Sequence, residues 1–376
     1  MKNQRTPLKP TPPLSDNQPS AKNGRAPRII WIDYARAFAI LTVILCHSTE
    51  AIYSLQLGDL QATSIFSRLS ALTCFTIGRL GVPIFLFMSG YLMLDRFYDE
   101  AACRKFWRSK WLALLLATEA WIVIYNIFLC IINHVGFDPM RLLRNMLFIE
   151  NVGMGHMWYM PMIIGLYLFL PFIANGLKRI DNPRLLLFPL TIACAIFFVT
   201  PVASILSQCA GEAAFKSEIA EGFSGGAYGC YMLLGYCVRK RSFDSLPTFG
   251  IALLGSVGFA LTVGLQLFAY SNGVFAPVWY TNALLLLSGL SMFLLISRMN
   301  FLRERRAVFT LSYYSFALYL VHFPVKILLT PFVQALHVPH LVGVGMLSLV
   351  VLVVSLVVCS LIARIPKIGA RILYLR

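Results

Sequence analysis

The chain has 376 residues, 58% of them apolar and 13% charged, and its mean hydropathy is +0.73. Soluble domains carry roughly 25% charged and 45–50% apolar residues, so this composition excludes an ordinary cytosolic enzyme, a disordered chain, a coiled coil and a disulfide scaffold. The net charge of +16 would suggest nucleic acid in a soluble protein; in a membrane protein it is first a matter of topology.

Residues 1–28 hold six prolines and six Lys/Arg against one acid, Asp16. Such a segment cannot bury an apolar face and reads as a disordered cytoplasmic tail. It is too long and Pro-rich for the n-region of a signal peptide, and no small-residue cleavage site follows, so the first apolar run is expected to be retained. Ten apolar segments come next, near 29–50, 72–94, 111–133, 157–175, 185–205, 224–238, 249–270, 278–297, 309–330 and 341–363. Most exceed the roughly 20 residues that a helix needs to cross a bilayer. The sixth is short and holds Gly225, Gly226, Gly229 and Gly235. Barrel-type alternation is absent, so helices must satisfy the backbone. The predicted fold class is all-α, a polytopic membrane bundle of about ten helices over 29–366, followed by a short basic tail over 367–376.

Basic residues test that count. Alternate gaps, starting with the N-terminal tail, hold 25 of the 32 Lys/Arg, and the other gaps hold 4. Arg36, Arg79 and Lys326 fall inside segments. The alternation predicts both termini in the cytoplasm. No stripe of Lys/Arg interleaved with aromatics remains, so no nucleic-acid partner is expected. The nine cysteines show no CxxC spacing, and His337 and His340 alone make a weak metal case, so no metal is expected.

A charge at mid-membrane costs about 2.5–3.5 kcal/mol on insertion scales, so each one needs a reason. The first segment, IDYARAFAILTVILCH, carries Asp33, Arg36 and His47. Eleven residues at 100° each bring His47 to within about 20° of Arg36, some 16 Å along the axis. Asp33, three residues before Arg36, lies on the adjoining face. The bland reading is an ion pair, a snorkelling arginine and a hydrogen-bonded core histidine; three on one stripe favour function. Applying the direction of each span, His47, Arg79, His156, Trp158, His322 and Lys326 sort to the outer half, and Asp33, Arg36 and Glu119 to the inner half. Because lipid exposure is costly, they are expected to line one cavity. The competing readings are snorkelling for Arg79 and Lys326, an interfacial anchor for Trp158, and a local polar pair for Glu119.

A histidine in a low-dielectric wall is a competent general base for a hydroxyl, and an arginine nearer the cytoplasm suits a phosphate or carbonyl oxygen. No Ser-His-Asp spacing with a nucleophile elbow is visible. The residues thus permit an enzyme with a cytosolic donor and an outer acceptor, or a transporter of a polysaccharide or small molecule with a proton relay through Asp33, Arg36 and His47.

The sequence resembles the acyltransferase-3 family of integral membrane acyltransferases. The resemblance rests on WIDYARAFAILTVILCH, with Arg36 and His47 in the family's Arg-x10-His signature, and on RLGVPIFLFMSGYLM from Arg79 to Met93. GHMWYM, with His156, and SFALYLVHFPV, with His322, look like two further family segments. The likeness spans roughly Trp31 to Arg364. It implies O-acylation of a glycan or glycolipid, with acetyl-CoA or another acyl-CoA as donor substrate and no permanently bound cofactor. It further implies His47 as catalytic base and Arg36 as a donor-side or structural partner, with Asp33 beside them and Arg79 as a second donor-binding candidate. His156, Trp158, His322, Lys326 and Glu119 are then substrate-side candidates, and Arg104, Lys105 and Arg108 are expected to meet the donor's anionic head. The extracytoplasmic esterase-like domain of longer members is missing from this sequence, so transfer is expected to finish within the membrane domain or with a partner.

Overall fold

The computed structural model describes residues 28–214 and 226–375. Among these residues there is no strand, and ten helical stretches stand at the ten apolar segments. They are α1 (Ile30–Tyr53), α2 (Ile65–Met93), α3 (Glu100–Asn133), α4 (Tyr159–Leu177), α5 (Pro183–Cys209), α6 (Gly226–Arg239), α7 (Thr248–Ser271), α8 (Ala283–Ser297), α9 (Arg306–Gln334) and α10 (His340–Ala363). The all-α membrane bundle is therefore what the chain builds. Eight of the ten are long and apolar enough to span a bilayer. Of the other two, α8, with 15 residues, is shorter than the segment predicted for it, and α6 is described from Gly226 onward. The tail over 1–27, the start of the sixth segment and Lys216 lie outside the described residues.

Helix α1 is the hub, packed against α2, α8, α9 and α10. Its closest approach is made by glycines of α2. A Cβ on Gly78 would lie 2.5 Å from the Cα of Cys46, and one on Gly81 would lie 2.5 Å from the carbonyl oxygen of Ala39. With no side chain between them, the two backbones touch, and the residue between these glycines, Arg79, is delivered against the far half of α1. Helix α2 is broken at Leu80. Pro83, with no N–H to offer, follows three residues later and cannot continue the ladder across the break.

Charged loops gather at one end of the bundle. Asp95, just past the end of α2, meets Lys178 after α4 at 2.7 Å, and Arg239 at the end of α6 and Lys240 after it at 3.6 and 3.5 Å. Arg298 after α8 donates to the carbonyls of Phe243 and Leu246. Tyr34 near the start of α1 donates to the carbonyl of Arg303 before α9. This basic end collects the gaps that the sequence makes rich in Lys/Arg. At the opposite end α8 stops short, and the loop before it runs inward. Gln266 of α7 accepts from the N–H of Val278 and donates to Thr76 of α2, while Tyr231 of α6 donates to the carbonyl of Tyr280. Asn282 then caps α8 by accepting from the N–H groups of Leu284 and Leu285.

Candidate active site

Three histidines from three distant stretches meet at the end opposite the basic loops. His47 comes from α1, His156 from the turn before α4 and His322 from the middle of α9. Their ring centroids are 5.4 Å apart for His47 and His322, 5.2 Å for His156 and His322, and 6.3 Å for His47 and His156. Phe323 seals the group, stacked on His156 at 4.5 Å and edge-on to His47 at 5.2 Å.

Hydrogen-bond partners assign each ring's proton. Nδ1 of His322 faces the carbonyl of Leu318 at 2.9 Å, which can only accept, so Nδ1 carries the hydrogen and Nε2 the lone pair. The Tyr125 hydroxyl donates to the carbonyl of Leu320 at 2.6 Å. Toward His156 Nε2, 3.2 Å away, its oxygen must therefore accept, leaving the His156 lone pair on Nδ1. His47 Nδ1 lies 2.6 Å from Oε2 of Glu50. A carboxylate accepts, so Nδ1–H donates and Nε2 is the free base nitrogen. His156 Nδ1 and His322 Nε2 are buried without a partner. All three rings are buried, and His47 is the least so, at 8% exposed against 2% and 0%.

Glu50 is a member of this site that the sequence reading missed, although its spacing, three residues after His47, puts it on the same helical face. Its second oxygen accepts from Arg79 at 3.2 Å. Arg79, 5% exposed, also donates to the Tyr280 hydroxyl at 3.0 Å and lies between the rings of Phe75 at 4.5 Å and Trp279 at 4.6 Å. A buried arginine with a carboxylate, a phenol and two aromatic faces is a fixed countercharge, not a snorkelling side chain. Trp158 continues the aromatic wall, 5.1 Å from Tyr280 and 5.2 Å from Trp279. The Lys326 ammonium lies 3.8 Å over the Phe323 ring and makes no ion pair among the described residues.

The inner residues stand apart from this cluster. Asp33 accepts from Arg28 at 2.6 Å and from Ser312 of α9 at 2.5 Å, so its ion-pair partner is Arg28 and not Arg36. It lines a cavity of about 280 Å³ at the basic end with Tyr34 and Arg303 to Arg306. Arg36 is half-buried between the two ends and makes no hydrogen bond or ion pair among the described residues. Glu119 of α3 has one oxygen buried without a partner, and no hydrogen bond joins it to the histidines. The single expected cavity is thus two regions of one bundle, with Arg36 between them.

No curated protein and no solved structure matches the chain. A family model described as an acyltransferase domain, that of the acyltransferase-3 family, matches residues 29–364. That stretch runs from the start of α1 to the end of α10 and contains every histidine, arginine and carboxylate just described except Arg28. The chain therefore belongs to the acyltransferase-3 family of membrane acyltransferases.

Proposed function

We propose that the chain is an O-acyltransferase that moves an acetyl group from acetyl-CoA to a hydroxyl of a cell-surface glycan or glycolipid, and that among members of its family it is similar to the enterobacterial common antigen O-acetyltransferase. The observation that carries this reading is His47, whose Nδ1–H is committed to Glu50 and whose Nε2 is left free beside two other histidines. Nε2 takes the proton of the acceptor hydroxyl as its oxygen attacks the thioester carbonyl. The carbon–sulfur bond then breaks, and the proton passes from Nε2 to the departing thiolate, so that ester and free coenzyme A leave. The unpartnered Arg36 holds a donor oxygen on the way in, and the basic end, with Arg104, Lys105 and Arg108 in the first turns of α3, gathers the donor's phosphates. The aromatic wall of Trp158 and Trp279 is the acceptor side.

In this reading the basic end and both termini face the cytoplasm of a bacterial inner membrane, and the histidines face outward. A proton-relay transporter needs Asp33, Arg36 and His47 in series; Asp33 is instead tied to Arg28 and Ser312. Mass spectrometry of surface glycans from cells with and without the gene tests the proposal. An acetyl mass that appears only with the gene supports transfer. An unchanged pattern together with lost glycan export supports transport and sinks the enzyme reading.

A further inference from the structure

The family match and the resemblance assign no role to Glu50, and the sequence reading offers Arg79 as a donor-binding group. The geometry points to a different division of labour. We propose that Glu50 is the positioning residue for His47, and that Arg79 holds Glu50 and does not touch the acyl donor. The inference rests on the acyltransfer reading above for its kinetic half only.

A neutral imidazole has two tautomers, and only the one with its lone pair on Nε2 can act as base toward the substrate side. The hydrogen bond on the other nitrogen sets which one is populated. Glu50 Oε2, at 2.6 Å from Nδ1, can only accept and so selects Nδ1–H. When Nε2 takes a proton, the same carboxylate faces the imidazolium and stabilises it, the part played by the carboxylate of hydrolase triads. A carboxylate one turn up a helix would swing among rotamers. Here its other oxygen is pinned at 3.2 Å by Arg79. Arg79 is held in turn by Tyr280 and by the rings of Phe75 and Trp279. That chain crosses from α1 to α2 and to the loop before α8, so three separate elements fix one ring. One terminal nitrogen of Arg79 donates to Glu50 and the other to Tyr280, and the side chain, 5% exposed and packed against the Phe75 and Trp279 rings, is enclosed within the protein and away from the basic end.

Two measurements on the full chain in lipid nanodiscs test this. The first is 15N spectroscopy of histidine-labelled protein, with His47→Gln used to assign the ring. The wild type should show an N–H-type Nδ1 and a lone-pair Nε2 at His47. Glu50→Gln, which presents an amide N–H2 to one of its two partners, should lose that fixed tautomer. The second is acetyl transfer. Glu50→Gln and Arg79→Gln should both lower kcat by about 10²-fold or more, with the KM for acetyl-CoA within about twofold of wild type. Glu50→Asp, which keeps the charge, should recover part of the rate and confirm that the site folds. An unchanged tautomer in Glu50→Gln overturns the positioning role, as does an unchanged kcat. A KM for acetyl-CoA that rises tenfold in Arg79→Gln returns that arginine to the donor. If wild-type protein transfers no acetyl group, the function proposed above fails, and the tautomer measurement still decides whether Glu50 sets the ring.

Discussion

The two ends of this bundle carry charge in opposite ways. At the histidine end the buried Arg79 and the partly buried Glu50 are each bound on two sides. Glu50 bridges His47 and Arg79, and Arg79 bridges Glu50 and Tyr280. At the basic end the charges are many and exposed, and most of their pairs are long or surface-bound, such as Arg104 with Glu100. Exposed pairs of that kind contribute about 0–1 kcal/mol, whereas breaking one partner of a buried pair costs about 3–5 kcal/mol. Under the proposed function the two ends have separate jobs: one holds atoms in place for chemistry, and the other sets orientation in the membrane and attracts an anionic substrate.

The sharpest way to break that comparison is at His47. His47→Gln keeps hydrogen bonding but cannot take a proton, so labelled acetyl transfer in membranes should fall by about 10²–10⁴-fold with the protein inserted at normal levels. Near wild-type transfer would make His47 a structural hydrogen-bonder and move the base to His156 or His322. Arg36, between the two ends, should give the next largest effect. Arg36→Lys keeps the charge and loses the planar fork, so most of kcat/KM for acetyl-CoA should go; a fully active lysine variant would reduce Arg36 to a plain countercharge.

The smallest effect belongs to the basic end. Partial burial pushes the Asp95 carboxyl up, but Lys178 and Lys240 outweigh it and hold it below the usual carboxylate range. A depressed carboxylate contributes stability above its unfolded pKa of about 3.9 and loses it as pH falls through the lower folded value. Asp95→Asn should therefore lower stability by no more than about 1 kcal/mol at pH 7, and the difference from wild type should shrink as pH is taken below 4. Thermal unfolding of purified protein at both pH values checks this. A gap that widened in acid would mean that the three cations do not stabilise Asp95.

Much of this was readable from residue order alone. Hydropathy located all ten helices, and depth sorting put His47, Arg79, His156, Trp158, His322 and Lys326 at one level, where the structure does bring them together. What escaped was pairing. Glu50 closes the first apolar segment and reads as its polar boundary, while α1 runs on to Tyr53 and keeps it on the helix. Tyr280 and Trp279 lie about 200 residues from Arg79, and no periodicity reports a contact across that distance. The Asp33 partner was taken from the same helix, yet Arg28 and Ser312 supply it. The loop before α8 looked like the first turn of a span. It is non-helical because Gln266 and Tyr231 satisfy its backbone, and because Asn282 starts the helix late.

That late start has a consequence for the crossing itself. Helix α8 has 15 residues, which at 1.5 Å each reach about 22 Å, against a hydrocarbon thickness of about 30 Å. The mismatch is absorbed inside the protein, where longer neighbours such as α7 and α2 shield the uncovered width, so the bilayer need not thin around it. The non-helical loop before α8 brings Tyr280 to Arg79, so the short helix is what lets a loop residue reach the histidine group from inside the bundle. Under the proposed function, an acyl group passing along this line would travel less far than the membrane is thick.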